Sequence, residues 1–335
     1  MAVQSSEKSV LAALGVNAIL TVVKSIAFFL TGSGAMLSEA IHSLADLMNQ
    51  GLLYVGIKRG NRAADKDFQY GYGRERFVWA LMSAVGIFFM GCAFTILHGI
   101  QALRHPEPMS SFGIALGVLG LSLILDLSVF IFAFRSLWSQ KGTTPFFEFL
   151  KTEADPPEVA VLLEDGAACL GVLIAMSAIG LSALTGYAAW DAIGSILIGI
   201  LLGVVAIWLI ERNLKLLTGP RIPTQDETRV RDILRSSPLI ESVQSMRTQA
   251  IDTETYDVEL DVRFSSPAIC KTLLTDAQQR YPSLASREDF EAFQLYYTTQ
   301  VLEVIGQEID DIERSLTTED DAFRFVDIEI QNNRE

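Results

Sequence analysis

The segment MLSEAIHSLADLMNQ sets Glu39, His42 and Asp46 at spacings of three and four inside an apolar run. At about 100° per residue the three fall within about 60° of one another on a helix. One helix face therefore offers a carboxylate, an imidazole and a carboxylate. Imidazole nitrogen with carboxylate oxygen suits Zn²⁺ and neighbouring divalent ions, and such a ladder can replace the water shell of an ion inside hydrocarbon. Other ionisable residues interrupt apolar runs: Lys24, His98, Asp126, the adjacent Glu164 and Asp165, and Asp191. Each costs at least about 2.5–3.5 kcal/mol at the centre of a bilayer on insertion scales. Interhelical hydrogen bonding is the competing use of such groups. Three on one face, with Asp165 on a separate run, favour metal binding. Asp126 and Glu164 each suit a ligand, a proton carrier or a counter-ion. Lys24 suits an ion pair, because a charged ammonium has no lone pair to give a metal. His98 and Asp191 lie near the ends of their runs and suit solvated structural roles.

The elements that must position these groups follow from the apolar patterning. The chain has 335 residues, half of them hydrophobic and a fifth charged, with a mean hydropathy of +0.32. Six apolar stretches occupy roughly 9–31, 35–58, 77–102, 110–135, 159–184 and 189–212. Each is long enough to cross about 30 Å of hydrocarbon as a helix. A soluble enzyme and a disordered chain are thereby excluded. Lys58, Arg59, Arg62, Lys66, Arg74 and Arg76 fill the second connection, and Arg135, Lys141 and Lys151 the fourth. The first and third connections on the other side carry no charge, and the remaining one carries Arg104. This asymmetry places both termini in the cytoplasm.

The charge is uneven along the chain. Residues 1–213 carry a net charge of −3 and residues 214–335 a net charge of −11. The tail is thus read as a separate acidic soluble domain, which argues against nucleic acid as a partner. Ser242–Ile251, Tyr256–Phe264 and Phe323–Gln331 alternate as strands, Thr228–Arg235 reads as a short helix, and Thr272–Leu316 is mostly helical with a break near Pro282. A small α+β domain is predicted. Three cysteines without a CxxC spacing indicate neither a disulfide framework nor a thiolate metal cage. No HExxH or comparable motif supports an intramembrane hydrolase, and the chain is not read as an enzyme.

Together the motifs GSGAMLSEAIHSLADLMNQ, YGYGRERF, HGIQALRHPEP, LLEDGAACLGVLIA and WDAIGSILIGILLG resemble the cation diffusion facilitator family of divalent-metal/proton antiporters. Within it, the EAIHSLAD and DPPEVAVLLED segments and the long helical insertion in the tail resemble the mitochondrial zinc exporter branch. The resemblance implies a polytopic membrane protein of six transmembrane helices (1–213) followed by a cytoplasmic, ferredoxin-like domain (214–335) that contributes to a homodimer. It also implies Zn²⁺ efflux from the cytoplasm against protons by alternating access, with Mn²⁺, Fe²⁺ or Co²⁺ as alternative cargo and a non-transporting scaffold as the rival use of the fold. No cofactor is implied. The family's metal ligands match His42 and Asp46 in the second span and Asp165 in the fifth. The fifth-span histidine of zinc-selective members falls at Val161, which offers no lone pair. Glu39, Asp126 and Glu164 are the candidates to complete the site or carry protons. All three histidines precede residue 214, so no high-affinity zinc site is expected in the tail. Calorimetric titration of the isolated tail would refute this by showing a tight stoichiometric site. With no targeting segment recognised, a bacterial cytoplasmic membrane is the expected location.

Overall fold

The structure, a computed structural model, describes residues 2–31, 34–104, 112–187, 189–252, 255–280 and 286–331. They form two compact units, Met1–Thr218 and Gly219–Glu335.

The first unit is helical throughout. Helices α1 (Ala2–Thr31) and α2 (Gly34–Gly60) pack against each other. The third run is α3 (Glu75–Gly86), a π-helical segment (Ile87–Ala93) and α4 (Phe94–Arg104) in unbroken succession. Then come α5 (Phe112–Gln140), the short α6 (Phe146–Thr152), α7 (Pro156–Thr185) and α8 (Ala189–Leu217). Among the described residues four helical runs are long and apolar enough to cross a membrane: Glu75–Arg104, Leu116–Gln140, Pro156–Thr185 and Ala189–Leu217. The α1 segment Val10–Ile26 is apolar but shorter. In α2, the acidic and amide groups of EAIHSLADLMNQ dilute the apolar run.

Packing in this unit is set by small residues. A Cβ on Gly199 of α8 would lie 2.6 Å from Ile96 Cγ1 and 3.2 Å from the Cys92 carbonyl oxygen. Glycine there lets α8 close onto the π segment and α4, as small residues do between helices in lipid. A Cβ on Gly86 would lie 2.8 Å from Asn49 Oδ1, so glycine also brings α3 against the polar face of α2. The apolar core between these contacts is built from residues such as Leu53, Ile57, Ala84, Val159, Val161 and Ala206.

A buried belt of charge fixes where α7 begins. Asp155 precedes α7, whose first two residues are prolines, and a proline's ring-fixed φ suits a helix start. The Asp155 side chain makes no capping bond. It lies 3.6 Å from Arg76 Nη1 at the start of α3 and interacts electrostatically with Arg212 of α8. Arg76 also donates to Asn61 Oδ1, and Arg212 donates to the Ala154 carbonyl. Beside them the fully buried Glu158 accepts from Gln140 Nε2 at 3.0 Å.

The connection between α2 and α3 is organised by one carboxylate. Asp65 accepts from the Tyr72 hydroxyl at 2.7 Å and from the amides of Phe68 and Asp67 at 2.9 and 3.0 Å. These bonds, Tyr72's first, hold its carboxyl below the usual carboxylate range. With the folded-state pKa depressed, the contribution is complete above the unfolded value of about 3.9 and is lost as pH falls through the folded value. Asp65→Ala is therefore expected to lower amide protection factors over residues 66–72 at neutral pH. The unaltered chain is expected to loosen there only below about pH 4. Equal protection in both proteins would contradict this role.

The second unit contains α9 (Thr224–Ser236), β1 (Ile240–Ala250), β2 (Tyr256–Phe264), α10 (Ser266–Arg280), α11 (Arg287–Glu319) and β3 (Phe323–Ile330). The sheet order is β1-β2-β3, with β1 antiparallel and β3 parallel to β2. Val258, Leu260 and Val262 alternate onto one sheet face and meet Val230, Leu234, Ile269, Ile312 and Leu316 from the helices. Asp257, Glu259 and Asp261 take the opposite face. The 33-residue α11 starts at a capping box in which Ser286 and Asp289 bond reciprocally.

Candidate functional site

Four of the acidic residues singled out in the sequence converge within the first unit, from three helices. Asp46 comes from α2, Asp126 from α5, and Glu164 and Asp165 from α7. α2 and α5 both pack against α7, which brings these residues toward one another. Asp165 is 4% exposed and lies within electrostatic reach of Asp126 and Asp46. Glu164, 7% exposed, lies within reach of Asp46 and Asp165. Among the described residues neither of these α7 carboxylates is fully paired: Asp165 Oδ2 and Glu164 Oε2 have no hydrogen-bond partner there, and Glu164 Oε1 has Ser83 Oγ at 3.5 Å. A buried acceptor left bare costs roughly 1–3 kcal/mol, more when charged. Oxygens of this kind are made for a proton or a cation.

A cavity of about 90 Å³, room for several waters, opens beside them. Asp46 and Asp126 line it, with Lys24 and Asn17 from α1, His98 and Thr95 from α4 and Ser195 from α8. A second, smaller cavity runs between Asp46, Asn49 and Glu164. Asp46 thus borders both spaces. Since Glu164 and Asp165 are successive residues on α7, they point about 100° apart. Glu164 borders the smaller cavity, whereas Asp165 borders neither.

The remaining expected site residues are placed less fully. Glu39 and His42 lie on α2, with His42 one turn before Asp46, but their side chains fall outside the described residues. Among the described residues no three His, Cys, Asp or Glu side chains stand close enough to hold a metal ion. Val161, at the position of the family histidine, is fully buried in the apolar core.

A comparison with family models matches residues 10–218 to the cation efflux transmembrane domain. The chain belongs to the cation efflux family. It is 34% identical over 331 residues to the mouse protein named proton-coupled zinc antiporter SLC30A9, mitochondrial, covering 96% of this chain and 58% of the mouse protein. It is 32% identical over 340 residues to metal tolerance protein C4 of Arabidopsis thaliana, covering 98% and 74%. The cation-efflux pump FieF of Shewanella oneidensis is 26% identical over 233 residues, covering 69% and 73%. The chain spans just under three-fifths of the length of the animal relatives it matches, at 58% for the mouse protein.

Membership of this family makes the helical unit a membrane transport domain joined to a small sheet domain. Several residues around the carboxylates escaped sequence reasoning. Ser83 is an ordinary serine in an apolar run, with no signal to mark it. His98, read as a solvated end group, lines the larger cavity. The π segment supplies Met90 to the larger cavity and Gly91 to the smaller one, in keeping with the habit of π-bulges to occur at functional sites.

Proposed function

We propose that this protein moves a divalent metal, zinc foremost, out of the cytoplasm in exchange for protons. The observation that carries the reading is the convergence of Asp46, Asp126, Glu164 and Asp165, with buried oxygens on α7 that have no hydrogen-bond partner among the described residues. The mouse relative's name, a proton-coupled zinc antiporter, supports the same cargo and coupling, and the name metal tolerance protein C4 supports a metal cargo. His42, Asp46 and Asp165 bind the metal. Glu39, Asp126 and Glu164 complete the site or carry protons. Metal binding requires deprotonated ligands, so each metal displaces protons and each proton opposes metal. One set of groups serves both ions, and alternating access carries them in opposite directions.

In this reading α1 and α2 join the four plainly apolar runs to make six spans, α2 giving up apolar character for its ligand ladder. Both termini lie on the cytoplasmic side, residues 1–213 form the transport domain, and 214–335 form a cytoplasmic domain that helps build a homodimer. The animal relatives carry the word mitochondrial in their names, so the bacterial membrane expected from sequence draws no support from them.

Val161 gives a second cargo a specific footing. Loss of one imidazole leaves a site rich in carboxylate oxygen, which favours Mn²⁺ and Fe²⁺ relative to a two-histidine site. Purified protein in liposomes, offered Zn²⁺, Mn²⁺, Fe²⁺ and Co²⁺ in turn, distinguishes the cargoes. Zinc flux exceeding the others supports the reading, and no flux for any of the four overturns it in favour of a scaffold. Val161→His tests the missing ligand. Without metal this variant is expected to melt earlier, because imidazole replaces a buried isopropyl group. With zinc it is expected to recover and to bind the metal at least about tenfold tighter than the parent. Melting that ignores zinc would contradict a place for residue 161 beside the metal.

A further inference from the structure

Lys24 is the charged group that the transport reading leaves unused. It sits on α1, is only 3% exposed, and lines the larger cavity with Asp46 and Asp126. An ammonium buried to this degree belongs in a net-negative setting, because an isolated buried charge is prohibitive. The setting here is the cavity that Asp46 and Asp126 line with it. A long, flexible stem lets the ammonium follow oxygens that move. While protonated it has no lone pair for a metal, so it is a competitor for the carboxylates and not a ligand.

We propose that Lys24 is a tethered counter-cation of the transport site, which excludes monovalent ions and keeps divalent affinity low enough for release. The inference rests on the proposed metal site. Its logic is that of effective concentration. A covalently held ammonium faces the carboxylates at an intramolecular concentration that sodium or potassium in solution does not match. A divalent ion carries twice the charge and gains about twice the Coulomb attraction at equal distance. It displaces the ammonium where a monovalent ion does not. The same competition weakens the metal complex, and the returning ammonium assists metal departure. Selectivity for charge then comes from a resident rival as well as from the ligands.

The test measures zinc binding and zinc flux in the full-length protein, with Lys24→Met, Lys24→Arg and Asp46→Ala beside the parent. Lys24→Met is expected to bind zinc at least about tenfold tighter, with KM lowered and kcat lowered together. Its zinc binding is also expected to become sensitive to 100 mM-scale potassium, about the range where free monovalent ions compete for exposed carboxylates. Lys24→Arg is expected to restore potassium insensitivity. A purely structural lysine would lower folded yield without creating that sensitivity. Lys24→Gln carries the same comparison should the Met variant fail to fold. Unchanged or weaker zinc affinity in folded Lys24→Met, with no potassium effect, overturns the inference. If Asp46→Ala binds and moves zinc like the parent, the metal site itself is wrong. Loss in Asp46→Ala without change in the Lys24 variants rejects only the role of Lys24.

Discussion

Replacing Asp165 with asparagine is expected to abolish metal flux, at least about a hundredfold, without unfolding the protein. Asparagine keeps the shape of the side chain and removes its anionic oxygen. Asp165 is buried within reach of Asp126 and Asp46, with Oδ2 unpartnered among the described residues. Like charges at close quarters in low dielectric disfavour one another. Neutralising one therefore leaves the metal-free protein equally stable or raises its melting temperature. This opposition, flux lost while stability is kept or gained, separates a binding group from a structural one. Asp46→Asn is expected to lose flux in the same way, and the double variant to have flux no lower than either single one, since the ligands act as a unit. Flux by reconstituted variants and thermal melting in detergent are the two measurements. Normal flux in Asp165→Asn would refute the site.

The second large effect is on stability. Asp155 faces Arg76 at 3.6 Å and shares the electrostatic field of Arg212, with all three buried. Removing the carboxylate leaves two guanidinium groups without their common counter-charge. Breaking a buried pair from one side typically costs about 3–5 kcal/mol. Asp155→Ala is expected to fall in that range and to melt well below the parent. The exposed pair Lys58–Glu7, 3.3 Å apart, provides the contrast. Glu7→Ala is expected to leave the melting temperature almost unchanged, as loss of a surface pair does. Similar melting of the two variants would show that the belt at the start of α7 carries no special load.

The part of the site legible in sequence was the part that breaks a rule. An acidic residue in an apolar run violates the cost of burying charge in lipid, and so Asp46, Asp126, Glu164 and Asp165 stood out before any helix was placed. Which of them meet is a matter of helix packing between segments far apart in sequence, as where a Cβ on Gly166 of α7 would lie 3.1 Å from Phe130 Cε2 of α5. Nothing in the local pattern distinguishes Ser83 from other serines, or puts His98 on the cavity side of α4. The strands of the tail were visible through strict alternation, above all YDVELDVRF, which forms β2 at Tyr256–Phe264 as expected. Boundaries drifted where propensity is silent. The short α6 over FFEFLKT was missed, and α9 starts four residues before the expected Thr228. The α11 start was readable in principle from Ser286-x-x-Asp289, the spacing of a capping box. The π segment had no sequence mark, because it depends on how α8 packs against IFFMGCA.

Exchange itself is the claim on which the rest depends. The direct measurement follows zinc and pH together inside liposomes holding the purified protein, with a zinc gradient imposed and no initial pH difference. Zinc entering the lumen is expected to drive protons out, raising lumenal pH in step with zinc, and both signals are expected to vanish in Asp165→Asn. Zinc entering at the same rate with lumenal pH unmoved, and indifferent to an imposed pH gradient, would contradict an antiporter.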